Sequence, residues 1–292
     1  TDGTTVTLSL FQWRYGALGG PGLLLVVSEP GGPTLMLERR IDERDFEESR
    51  QRLAVRFGDS ELDASRYGCS VHLRLPELDC DLELRNLLNP WRPGDGYLRL
   101  SPEAYTRHTV LSPFATVSGH LRVSGREKDV QGWCYSDRGV VAVPMRRVNP
   151  EEYSFRVFGP NSAPGQEPWM ISALHSVTAE AYGSRRLSSL LAGRGRQWVL
   201  ATKANDFQAL DFAPGQGSPY PYPRRIRVRA VEEGCALEGQ FVVTRLIALN
   251  DILARLPRPL RQVAEAFINR PVIHRLEGYF IGSVAFPDGT SE

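Results

Sequence analysis

The sequence predicts an all-β protein built as two consecutive antiparallel β-barrels, one over 1–148 and one over 149–292, with the boundary falling in 110–165. Three observations carry this. A hydrophobic period of two runs through most of the chain. Turn clusters recur at hairpin spacing. Glycine contributes 27 and proline 21 of the 292 residues, a density that disfavours long helices.

The period of two is clearest at Thr5–Leu10, Leu53–Phe57, Val71–Leu75 and Asp81–Arg85. It returns at Val117–Val123, Tyr153–Phe158, Arg225–Ala230 and Leu237–Leu246. Each run puts its apolar residues on one face, as a half-buried strand requires. Clusters such as Pro30-Gly31-Gly32-Pro33 and Arg92-Pro93-Gly94-Asp95-Gly96 separate the runs. The pattern supplies about fifteen to eighteen strands, enough for two barrels.

One amphipathic helix is expected near the end of the chain. Leu260, Val263, Ala264, Phe267 and Ile268 share a face at helical spacing, Pro259 suits the first turn and Pro271 stops it. A short helical turn is expected at Asn250–Leu256, and the charged stretch Arg39–Arg52 reads as a surface helix.

Composition excludes several functions. Lys+Arg is 35 against Asp+Glu 34, so no global field attracts nucleic acid. The basic stripe Arg224, Arg225, Arg227 and Arg229 reads as a solvated strand face. No apolar run is long enough to span a membrane. Cys69, Cys80, Cys134 and Cys235 lack metal or redox spacing and read as reduced thiols of a cytoplasmic protein. The chain opens on Thr1, which reads as a processed start. Phosphate loops, nucleophile elbows and zinc or calcium motifs are absent, so the sequence calls for no cofactor and no metal. His72, His108, His120, His175 and His274 are scattered and read as structural, with His120 and His175 able to face a lumen.

The densest chemistry lies in Gly132–Pro144. Trp133, Tyr135 and Asp137 alternate and share one face, while Arg138 lies on the other. If that face lines the lumen, it is an aromatic wall ending in one carboxylate, suited to an apolar ligand with one polar group. The alternative is a strand whose aromatics fill the core.

His175–Leu187 (HSVTAEAYGSRRL) and Leu246–Arg275, with Asp251, Pro257–Arg261 and Arg270-Pro271-Val272-Ile273, resemble the survival-factor-one-like proteins of fungi. Tyr135, Asp137 and Gly139 resemble the GYxDxxWG motif of the wider superfamily of carotenoid hydratases and fungal Diels–Alderases, without its Trp. The resemblance covers roughly the second half of the chain. It implies tandem lipocalin-like β-barrels and a carrier of an apolar lipid of the ceramide, fatty acyl or isoprenoid class. It also implies transient membrane contact, although no segment matches the amino-terminal amphipathic helix that those members use. The expected ligand-binding side chains are Trp133, Tyr135, Asp137, Trp169, His175 and Tyr182. The alternative it implies is a cofactor-independent hydratase or cyclase in which Asp137 is the general acid, its pKa raised by burial.

Overall fold

A computed structural model describes residues 3–15, 18–49, 51–101, 104–123, 125–141, 151–159, 166–215, 217–251, 258–259, 261–262 and 272–291. Among these the chain forms four antiparallel sheets. The first contains β1 (Thr5–Tyr15), β2 (Leu18–Ser28) and β3 (Thr34–Arg40). The second contains β4 (Phe46–Glu48), β5 (Leu53–Phe57), β6 (Ser60–Ser65), β7 (Gly68–Leu75), β8 (Leu78–Asn86), β9 (Tyr97–Arg99), β10 (Tyr105–Val123) and β11 (Arg126–Val141). Its order is β11-β10-β8-β7-β6-β5-β4, with β9 beside β10. The third runs in order through β12 (Glu151–Gly159), β13 (Trp169–Val177), β14 (Arg186–Arg194) and β15 (Gln197–Thr202). The fourth does the same through β16 (Asp206–Ala213), β17 (Tyr222–Glu232), β18 (Cys235–Asp251) and β19 (Val272–Ala285). The fold is therefore all-β, as the period of two predicts, and lipocalin-like, as the resemblance implies.

The chain divides into two compact units. One comprises 1–97, 107–140 and 195–197; the other comprises 98–106, 141–194 and 198–292. In the first, the first two sheets share one core. Leu23 and Leu25 of β2 meet Phe57, Val71, Leu73, Cys80, Leu121 and Val123, each contributed by alternate positions of its strand. Burying a side chain of this size is worth about 1.5–3 kcal/mol, set against the entropy of ordering the chain. β4 and β11 are the outermost strands of the larger sheet, and an ion pair from Arg138 to Glu48 links them.

In the second unit, Phe155, Ala173, Leu190, Ala192, Leu200, Ile226, Val228, Leu237 and Phe241 form the core. Phe155 stacks on Phe241 with ring centroids 5.1 Å apart and on Phe280 at 6.0 Å. Tyr153 stacks on Phe207 at 6.1 Å. These rings occupy the interior of the second barrel.

Gly119 of β10 shows how tightly strands approach in the first barrel. It lies opposite Leu82 at a φ of +145°, and a Cβ added there would fall 1.9 Å from the Asp81 carbonyl oxygen. Backbone would have to move to admit any side chain. Gly119→Ala is expected to cost more than about 2 kcal/mol, read as a lowered urea midpoint. An unchanged midpoint would contradict this packing.

One helical expectation fails. Arg39–Arg52 is not a helix: β3 ends in it, Glu43–Asp45 make one 3-10 turn, and β4 follows. Asp42 caps that turn by accepting from the Arg44 backbone N–H at 3.0 Å. The stretch then extends because Phe46 packs on the first core and pairs with Phe57. Of the turn expected over Asn250–Leu256, Asn250 and Asp251 end β18, paired with Ile273 and Val272, and 252–256 lie outside the described residues. Of the expected helix over 259–268, Pro259, Arg261 and Gln262 are helical and the remainder lies outside the described residues. Among the described residues no helix is long and apolar enough to cross a membrane. All four cysteines are free, and burial pushes the thiols of Cys69 and Cys80 up to about 11 and that of Cys134 up to about 12. They are packing residues rather than nucleophiles.

Candidate functional site

Strand alternation decides which side of β11 meets the first core. Val130 packs on that core, and Cys134 shares its surroundings with Cys69, itself packed there. Val130, Cys134 and Arg138 thus share the inner face. Trp133, Tyr135 and Asp137 share the outer face. On β10, Leu121 and Val123 pack on the first core, and His108 has the opposite parity, shared with the buried Val110, Ser112 and Phe114. Trp133, Tyr135 and Asp137 are thus on the face of β11 opposite the one that Val130 and Cys134 turn to the first core. The aromatic–carboxylate strip is on the opposite surface of the same ribbon.

There the strip gains a partner. The Tyr135 hydroxyl donates to Asp137 Oδ2 at 3.0 Å, and His108 Nε2 lies 3.2 Å from the same oxygen. The side chains of His108 and Asp137 are 24% and 34% exposed, open enough for a ligand to reach them. A carboxylate oxygen that receives a phenol and an imidazole together is stabilised as an anion. It also fixes the ring with Nε2 inward, so that Nδ1 points away from the carboxylate. Among the described residues His108 Nδ1 has no hydrogen-bond partner. The arrangement is a hydrogen-bonded Tyr–Asp–His group with one imidazole nitrogen left for a ligand.

The remaining three expected residues lie in the second unit, and the structure does not bring them together. Trp169 and His175 point to the same side of β13, six residues apart, which is about 20 Å along a strand. Trp169 packs on the second core, with the Arg194 guanidinium 5.9 Å from its ring centroid. Tyr182 ends the short turn Glu180–Tyr182 between β13 and β14 and is half-buried.

His175 is buried. Its Nδ1 meets Ser188 Oγ at 2.7 Å and its ring stacks on Phe207 at 4.7 Å. Burial holds its pKa below the ordinary 6.5; Glu151 opposes this and Arg186 reinforces it. Burial lowers His274 in the same direction. Both imidazoles accept a proton more readily in the unfolded chain. Unfolding therefore takes up protons as the pH falls through 6.5, and stability declines below that point. Tm is expected to drop from pH 7 to pH 5, and His175→Phe to remove part of the drop. An equal drop in wild type and variant would count against this assignment.

His108 is the functional residue that sequence spacing misses, because it lies 29 residues from Asp137. The one usable signal is the hairpin between β10 and β11, whose pairing folds His108 back toward Asp137. Among the described residues no group of histidine, cysteine and carboxylate side chains could hold a metal.

Similar solved structures place this arrangement in context. CghA, crystallised with Sch210972, aligns over 96% of this chain and 80% of its own, with TM-score 0.68 and 11% identity. A putative AttH from Nitrosomonas europaea aligns over 96% and 86%, with TM-score 0.60 and 12% identity. Kievitone hydratase from Nectria haematococca aligns over 97% and 80%, with TM-score 0.56 and 12% identity. No family sequence model and no curated protein sequence matches the chain. The chain thus has the lipocalin-like fold of these proteins; at these identities the likeness extends to the fold alone.

Proposed function

We propose that this protein is a cofactor-independent enzyme that hydrates or cyclises an unsaturated, largely apolar small molecule of the isoprenoid or polyketide class. The observation that carries the reading is the single Asp137 oxygen shared by Tyr135 and His108. Kievitone hydratase and the ligand-bound CghA, which share the fold, support an enzymatic reading over a pure carrier.

The roles differ from those the sequence suggests. Asp137 already accepts from two donors, and its side chain is one-third exposed rather than buried. It is therefore the group that orients His108, not the acid. His108 moves the proton, through Nδ1. The ring face of Trp133, on the same side of β11, offers an apolar surface that tolerates developing positive charge. Positioning a flexible polyene in a reactive shape supplies much of the remaining acceleration.

The test is to incubate the purified chain with polyenes carrying an internal dienophile and with prenylated phenols in isotopically heavy water. Hydration adds one labelled water to the product mass. Cyclisation leaves the mass unchanged and bleaches the polyene absorbance. No change in either substrate class would count against the proposal.

A further inference from the structure

β17 and β18 pair from Glu232–Cys235 to Arg225–Val242, and there their ladder stops. β17 nevertheless begins at Tyr222, and β18 runs on to Asp251. Two local features part the strands. Pro223, which pairs with Phe212 of β16, has no N–H to give a ladder. In β18 the register against β19 slips at Thr244, so that Val243 lies opposite Gly278 and Arg245 opposite Glu277. Such a bulge bends its strand and re-aims the side chains that follow. A cleft of about 490 Å³ lies where the strands part, within the range of small-molecule sites. Tyr222 and Arg224 line it from β17, and Val243, Thr244, Arg245 and Leu246 from β18.

Arg224 stands apart from the rest of the basic stripe. It has the parity of the buried Ile226, Val228 and Ala230, whereas Arg225, Arg227 and Arg229 turn to the opposite face. Arg225 pairs with Asp211, and Arg229 lies 3.8 Å from Glu238. Arg224 is exposed and meets no carboxylate among the described residues. On the other strand Arg245 is already oriented: its Nε and Nη2 donate to Glu277 Oε2 at 2.9 Å and 2.5 Å. The Thr244 hydroxyl fastens the bulge by donating to the Glu277 carbonyl oxygen at 3.1 Å. One cleft thus carries an uncommitted guanidinium from one strand and a fixed guanidinium from the other, with Glu277 offsetting only the second.

We propose that this cleft binds a phosphate group, as the free ion or as the head of a phosphate ester, held between Arg224 and Arg245. A planar guanidinium donates two parallel hydrogen bonds to one oxyanion, and a second cation from the facing strand suits a dianion. All of its residues belong to the second unit and the Tyr135–Asp137–His108 group to the first, so its test does not depend on turnover.

The probe is inorganic phosphate, titrated against the full chain in chloride buffer of constant ionic strength and read by phosphorus NMR line broadening. Phenyl phosphate is run as a second series. Saturable broadening is expected, and Arg224→Gln and Arg245→Gln are each expected to weaken it about tenfold. Arg227→Gln makes the same charge change on the opposite face of β17 and should leave affinity unchanged. Melting curves of each variant confirm folding. Tighter binding of phenyl phosphate assigns the site to an ester, and tighter binding of inorganic phosphate to the free ion; both uphold the site. Broadening that does not saturate, an equal loss in Arg227→Gln, or no loss in Arg224→Gln would overturn the proposal.

Discussion

Replacing His108 with alanine is expected to lower kcat/KM by about 10²–10⁴, the range a positioned acid or base contributes. Asp137→Asn should approach the same loss by a different route. The amide leaves the geometry near Tyr135 and His108 but removes the carboxylate that orients the imidazole. Tyr135→Phe removes one donor to Asp137 and is expected to cost less. The split between kcat and KM is the discriminating readout. If His108 transfers a proton, kcat falls and KM holds. If it only lines a binding surface, KM rises and kcat holds. Equal turnover by wild type and both variants would dismiss the Tyr–Asp–His group as a surface hydrogen-bond cluster.

Phe155→Ala is expected to destabilise the protein by about 3–5 kcal/mol, among the largest effects available from one substitution. Phe155 is 4% exposed and stacks on both Phe241 and Phe280. Removing its ring withdraws contacts from two strands of the facing sheet and leaves a cavity that stiff β-backbone cannot collapse into. Urea unfolding followed by tryptophan fluorescence reads this directly. A loss below about 1 kcal/mol would mean that the second interior is loosely packed, and a guest-sized hollow would again be plausible there. Phe155→Leu should recover part of the loss.

The architecture was legible because strand burial writes itself into alternate residues. Leu237 and Phe241, or Val71 and Leu73, mark their inner faces without help from the rest of the chain. Alternation does not say which face is inner when both carry large side chains. In β11 the outer face holds Trp133 and Tyr135, while the inner face holds the smaller Val130 and Cys134. Period two alone therefore leaves both faces of β11 open as the inner one. Arg39–Arg52 misled for a related reason. Its charges permit a helix, and only the burial of Phe46 against Phe57, a tertiary fact, extends it.

The site was half legible. Tyr135 and Asp137 sit two apart on one strand, so their meeting follows from local geometry. His108 joins them only through the pairing of β10 with β11, which no local spacing encodes. Trp169, His175 and Tyr182, expected beside the same ligand, are not brought together, because six residues along an extended strand separate Trp169 from His175 by about 20 Å. What looked like one ligand-facing set is a core tryptophan, a buried histidine and a turn tyrosine.

The central claim is that substrate reacts beside Tyr135 and Asp137 of β11, against His108. Footprinting with diethyl pyrocarbonate, which acylates accessible neutral imidazoles, tests it most directly, read by peptide mass with and without a converted substrate. Bound substrate should protect His108 while leaving His120, whose side chain is 45% exposed on the same strand, as reactive as before. Undiminished labelling of His108 at saturating substrate would place the reaction elsewhere and contradict the account.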